Sequence, residues 1–155
     1  MNTAEQLSTN TSLIDLICDL VILPDPIPLE LETRVTGIQM DSRLLHKGDL
    51  FIACFGHNHD ARNYIDEAIE LGVSVVLAES GDKWRGIEIR KGVPIIAMDN
   101  LSAKISEIAG RFYSYPSSKL SVVGITGTNG KTSCSQFLAQ ALTSIGYQSG
   151  IIGTL

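Results

Sequence analysis

The chain has 155 residues, with 12 lysines and arginines against 17 aspartates and glutamates, a formal net charge of −5. A hydrophobic fraction of 44% and a charged fraction of 19% belong to a globular protein and exclude collagen, a coiled coil, a disordered chain and a disulfide scaffold. No Lys/Arg cluster offsets the acidic balance, which counts against nucleic-acid binding.

In chain order, the first 30 residues lack a basic start and carry Asp15 and Asp19 within the apolar stretch. That is not a secretory signal, and no run approaches the ~20 apolar residues of a membrane span. Ser12-Leu-Ile-Asp15 reads as a capping box opening a short helix to about Leu20, which Pro24, Pro26 and Pro28 end. Residues 33–39 and Asp49–Cys54 read as strands. From Asp60, Tyr64, Ile65, Ala68, Ile69 and Leu71 recur at helical spacing, with Gly72 as the stop. Val73–Ala78 is an apolar strand, residues 79–86 a loop and Val93–Met98 another strand. Asn100 can cap a helix whose stripe is Leu101, Ile105, Ile108, Ala109 and Phe112. This alternation predicts an α/β domain with parallel pairing, covering 1–113. Residues 114–118 read as a linker, and 119–155 as the start of a second domain. Cys18, Cys54 and Cys134 form no CxxC pair and read as buried, reduced thiols of a cytoplasmic protein.

The strongest signal follows the linker. Leu120–Ile125 is an apolar run predicted to be a strand, then comes Thr126-Gly-Thr-Asn-Gly-Lys-Thr132, then a helix with Cys134, Phe137, Leu138, Ala141, Leu142 and Ile145 on one face and Gly146 as its stop. Strand, glycine-rich turn and helix is the setting of a phosphate-binding loop. Glycines let successive N–H groups turn inward toward phosphate oxygens, and the helix N-terminus adds partial positive charge. The expected ATP-binding residues are Gly127, Thr128, Asn129, Gly130, Lys131, Thr132 and Ser133. Lys131, the catalytic candidate, would bridge the β- and γ-phosphates, and the Thr132 hydroxyl would ligate Mg²⁺. The loop is a variant of G-x-x-x-x-G-K-[ST], with Gly127 and Gly130 framing two residues.

This loop resembles the ATP-binding loop of the Mur ligase family of peptidoglycan synthesis. Met40-Asp-Ser-Arg43, Lys47-Gly-Asp-Leu-Phe-Ile-Ala53 and Gly56-His-Asn-His-Asp60 resemble the start of that family's UDP-binding domain. The resemblance covers roughly residues 35–155 and is closest to the MurE type. It implies a UDP-MurNAc-binding domain followed by the first strand–loop–helix unit of an ATPase domain. It also implies that Met40, Ser42, His57, Asn58 and His59 contact the uridine nucleotide. Simpler readings stand beside these: Asp41 and Arg43 as a structural ion pair, His57 and His59 as polar loop residues, His46 as a turn residue.

The activity implied is ATP-dependent amide-bond formation in cytoplasmic cell-wall synthesis. The terminal carboxylate of UDP-MurNAc-L-Ala-D-Glu becomes an acyl phosphate, which an amino acid attacks. Residues 57–65 and 107–113 favour meso-diaminopimelate over lysine by the same resemblance. The alternatives are the D-alanyl-D-alanine-adding MurF type, a P-loop NTPase without ligase activity, and a UDP-sugar binding module. With 23 residues after Thr132, the ATPase domain is expected to continue in a C-terminal part beyond this sequence, leaving the chain inactive alone.

Overall fold

The structure is a computed structural model that describes residues 10–56, 60–81 and 83–153. The chain divides into two compact units, one ending at Ser118 and one beginning at Lys119.

The first unit opens with strand β1 (Thr11–Ser12) and helix α1 (Leu13–Ile17). Strands β2 (Arg34–Val35), β3 (Ile38–Gln39) and β4 (Leu50–Ala53) follow. After helix α2 (Ile65–Glu70) come β5 (Val75–Glu79), β6 (Ile87–Arg90), β7 (Val93–Met98) and helix α3 (Leu101–Phe112). β1 and β2 form a small antiparallel pair, and the main sheet has the order β3-β4-β5-β7-β6. β3, β4, β5 and β7 are parallel, while β6 pairs antiparallel with β7.

The buried strands are apolar throughout because both faces of the sheet are covered. Alternate side chains point to opposite faces. Leu50, Ile52, Val75, Leu77, Ile96 and Met98 pack with Leu13, Leu16, Ile17, Leu101, Ile108 and Phe112 of α1 and α3. Phe51, Ala53, Val76, Ala78 and Ile95 pack with Ile65, Ala68 and Ile69 of α2. Gly72 ends α2 at φ +87°. Its N–H donates to the Ile69 carbonyl, and that of Val73 to Ala68, the paired bonds of a Schellman stop.

Several local expectations are corrected. Ser12 occupies the N-cap position without a side-chain capping bond, and α1 ends at Ile17 rather than Leu20. Asn100 sits at the N-cap of α3 in a left-handed conformation (φ 52°) and makes no capping bond. The Glu79 carboxylate replaces it, accepting from the Leu101 and Ser102 N–H groups at 3.0 and 3.3 Å and from the Ser102 hydroxyl at 3.1 Å. A cap thus arrives from the end of the neighbouring strand, where an anion also complements the helix dipole. β6 is an addition: Ile87-Glu-Ile-Arg90 turns back through Lys91-Gly92, both at positive φ, the backbone of a two-residue type I′ hairpin. Cys18 and Cys134 are exposed and Cys54 half-buried, all three as free thiols.

In the second unit, helix α4 spans Lys131–Ser144. It ends at Gly146 (φ +93°), with Gly146 N–H bonded to Thr143 O and Tyr147 N–H to Leu142 O. The strand expected at Leu120–Ile125 does not form. A strand needs a hydrogen-bonding neighbour, and no described residue supplies one. Among the described residues, no helix is long and apolar enough to cross a membrane.

Candidate functional site

Two places gather the predicted site residues, one in each unit. In the first unit, β3 and β4 run parallel, so the segments leaving their carboxyl ends meet at one edge of the sheet. Ligands of open α/β sheets bind in such a crevice. Here it is a cleft of about 410 Å³ lined by Met40, Asp41, Ser42, Arg43, Phe51, Ala61 and Tyr64. The backbone is shaped by two aspartates. Asp41 accepts from the Arg43 N–H at 3.1 Å and caps the 3-10 turn Ser42–Leu44. Asp60 accepts from the Arg62 N–H at 3.0 Å and caps the turn Ala61–Tyr64.

Both carboxylates also grip the arginine they cap. Asp41 binds Arg43 Nε at 2.9 Å and Nη2 at 2.6 Å, which holds the Asp41 carboxyl down at about 2. Asp60 is likewise lowered, chiefly by its bond to Arg62. Met40 is exposed and Ser42 half-buried, while the fully buried Phe51 adds an apolar wall. Nearby, buried Asp49 accepts from the His46 N–H at 2.8 Å, which makes His46 part of a turn. His57, Asn58 and His59 lie outside the described residues.

In the second unit, Gly127 (φ +145°) and Gly130 (φ +77°) supply backbone conformations that L side chains rarely adopt. Gly130 is the N-cap of α4, and the first intrahelical bond runs from the Cys134 N–H to the Gly130 carbonyl. The N–H groups of Lys131, Thr132 and Ser133 therefore precede the helix ladder and stay open to a ligand. Lys131 Nζ folds back to donate to the carbonyls of Gly127 and Thr128 at 2.7 and 3.4 Å. Loop, lysine and helix N-terminus thus concentrate donors and positive charge at one end of α4, the chemistry that holds phosphate.

Sequence reasoning passed over Tyr64 as a cleft residue, assigning it to the apolar stripe of α2. It sits one residue ahead of that helix and is exposed. The signal available was the repeated Asp-x-Arg, which marks two capped turns leaving neighbouring strands.

The chain resembles known proteins in sequence and in fold. The sequence profile of the Mur ligase family catalytic domain matches residues 34–113, just over half of the chain. The UDP-N-acetylmuramoyl-L-alanyl-D-glutamate--2,6-diaminopimelate ligase of Coxiella burnetii is 46% identical over 127 residues, covering 82% of this chain and 26% of that protein. The ligase of the same name from Vibrio cholerae is 39% identical over 152 residues, covering 96% of this chain, phosphate loop included, and 30% of its own length. Among solved structures, MurF from Acinetobacter baumannii superposes with a TM-score of 0.61 at 22% identity, over 88% of this chain and 28% of that one, a likeness of fold. The chain thus spans less than a third of the length of the curated relatives it matches. A matching profile over β2 to α3, and two relatives sharing so much of its sequence, mean that the chain belongs to the Mur ligase family.

Proposed function

We propose that this sequence supplies the UDP-binding domain, residues 1–113, and the opening phosphate loop, within 119–155, of an ATP-dependent ligase. Its substrate is UDP-MurNAc-L-Ala-D-Glu, to which it joins meso-diaminopimelate in cytoplasmic peptidoglycan synthesis. The carrying observation is the 46% identity to a protein of that name, which spans most of this chain.

The residues suit these roles. Met40 and Ser42 line the cleft, where Ser42 offers a hydroxyl and Met40 an apolar contact to the uridine. Gly127, Thr128, Asn129, Gly130, Lys131, Thr132 and Ser133 form the loop for ATP. Lys131, whose ammonium donates to the loop carbonyls, would turn it to the transferred phosphate. Phosphoryl transfer is largely positioning and charge neutralisation, which the loop amides and Lys131 supply. Mg²⁺ fits the hydroxyl of Thr132, a hard oxygen donor that has no hydrogen-bond partner among the described residues. Among the described residues no group of three His, Cys, Asp or Glu could hold a metal ion; the phosphates of a bound nucleotide would supply further hard oxygen ligands. When bound, Mg²⁺ neutralises charge on the phosphates. The dipeptide carboxylate takes the γ-phosphoryl group of ATP, leaving ADP, and the amine of the incoming amino acid then displaces phosphate.

The test is an activity assay on a protein of the relatives' length carrying this sequence. With ATP, Mg²⁺ and UDP-MurNAc-L-Ala-D-Glu, it should release ADP and phosphate when meso-diaminopimelate is added. Lysine in its place should give far less. Lys131→Ala should abolish turnover, and unchanged turnover would sink the loop assignment.

A further inference from the structure

Asp41-Ser42-Arg43 and Asp60-Ala61-Arg62 are built alike, and their difference is informative. Each aspartate holds its arginine by Nε and Nη2, at 2.9 and 2.6 Å in the first pair and 2.8 and 2.8 Å in the second. The third guanidinium nitrogen behaves differently. Arg62 Nη1 donates to the Glu79 carbonyl at 3.2 Å, and the guanidinium lies 4.8 Å from the Phe55 ring centre. Its side chain is only 15% exposed, absorbed in tying two loops together.

Arg43 is 86% exposed, and its Nη1 has no partner among the described residues. It lines the cleft together with Ser42 and Tyr64, close enough to Tyr64 to feel its charge, and the hydroxyls of both are also without partners among the described residues. A guanidinium fixed along one edge by a carboxylate has little rotamer freedom left to lose when its other edge meets an anion. Uracil and ribose are neutral and do not call for such a group. The diphosphate does, because guanidinium binds phosphate oxygens through strong charge-assisted bonds.

We propose that Arg43, with the Tyr64 hydroxyl beside it, binds the diphosphate of the nucleotide held in this cleft, and that Asp41 is its positioning residue. The inference rests on the UDP reading of the cleft and assigns the anionic half of the ligand to named side chains.

Calorimetric titrations of the chain with UDP, UMP and uridine test it. The unaltered chain should prefer UDP to uridine by about tenfold or more, the range of a charged hydrogen bond. Arg43→Ala should erase most of that preference and leave uridine affinity within about twofold. Arg43→Lys should restore part of it, and Tyr64→Phe should lower UDP affinity but not uridine affinity. Asp41→Asn should weaken UDP alone, whereas a purely structural Asp41 would weaken both ligands. An Arg43→Ala chain that keeps the full UDP preference overturns the proposal. So does an unaltered chain that binds UDP and uridine equally, which leaves the cleft reading standing. If neither UDP nor uridine binds the unaltered chain, the cleft reading fails and this inference fails with it.

Discussion

The two units make opposite use of similar apolar content. In the first, Phe51, Leu77, Ile96 and their neighbours are fully buried between the sheet and its helices. In the second, α4 has no buried residue, and Leu120, Val122, Val123, Phe137 and Ile145 are exposed. Its helix is held by backbone bonds, the Gly130 start and the Schellman stop. Helices of this length are marginal without tertiary packing. The difference teaches that the turn ahead of α4 can be shaped locally by glycines, whereas a cleft between strand ends requires the whole sheet.

The largest effect expected from this contrast comes from trimming one aromatic in each unit. Phe51→Ala should cost about 3–5 kcal/mol in urea unfolding, the range for emptying a packed core site. Phe137→Ala should change the same midpoint by less than about 0.5 kcal/mol, as exposed positions do. Equal losses would mean that α4 shares the core.

Next in size is the borrowed cap. Glu79→Ala should destabilise the first unit by about 1–2 kcal/mol through the N-terminus of α3, while Asn100→Ala should cost less, about 1 kcal/mol at most, through its left-handed backbone and not through a lost cap. A large loss from Asn100 and none from Glu79 would reverse the account of that helix start.

The glycines sharpen the comparison further. Gly72→Ala and Gly130→Ala each force a side chain into a left-handed conformation at about 1–2 kcal/mol. The first should lower the urea midpoint of the sheet unit. The second should leave that midpoint unchanged and show only as faster amide exchange at the start of α4.

The smallest effect concerns pH. The folded Asp41 carboxyl lies near 2, below its ordinary 3.8. Its ion pair therefore stabilises the fold fully above about pH 4, and that contribution disappears as pH falls through 2. The site is solvent-exposed, so the effect is small. Asp41→Asn should flatten the slope of the urea midpoint between pH 4 and 2, and an unchanged slope would count against the pair.

Where the physics is local, the sequence was readable. The runs Leu50–Ala53, Val75–Glu79 and Val93–Met98 are strands because they are apolar on both faces, and Gly127 and Gly130 marked the backbone turn that opens α4. Long-range chemistry was not readable. Nothing near Asn100 announces that Glu79, some twenty residues earlier, will cap α3. The apolar run at Leu120–Ile125 looks like a strand, but pairing depends on a neighbour and not on the run itself. β6 was overlooked because Ile87-Glu-Ile-Arg90 is short and half polar, although Lys91-Gly92 marked its turn. Met40 and Ser42, which line the cleft, were named by likeness, whereas Tyr64 needed the fold to bring two strand ends together.

Hydrogen exchange read by mass spectrometry, with and without UDP, tests the central claim most directly: a packed sheet that carries the cleft proposed for the nucleotide, followed by the locally built turn proposed for phosphate. The account predicts slow exchange in β4, β5, β7 and α3, fast exchange through 120–153, and UDP-dependent protection confined to peptides covering residues 40–64. Protection by UDP appearing elsewhere, or α4 exchanging as slowly as β5, would contradict it.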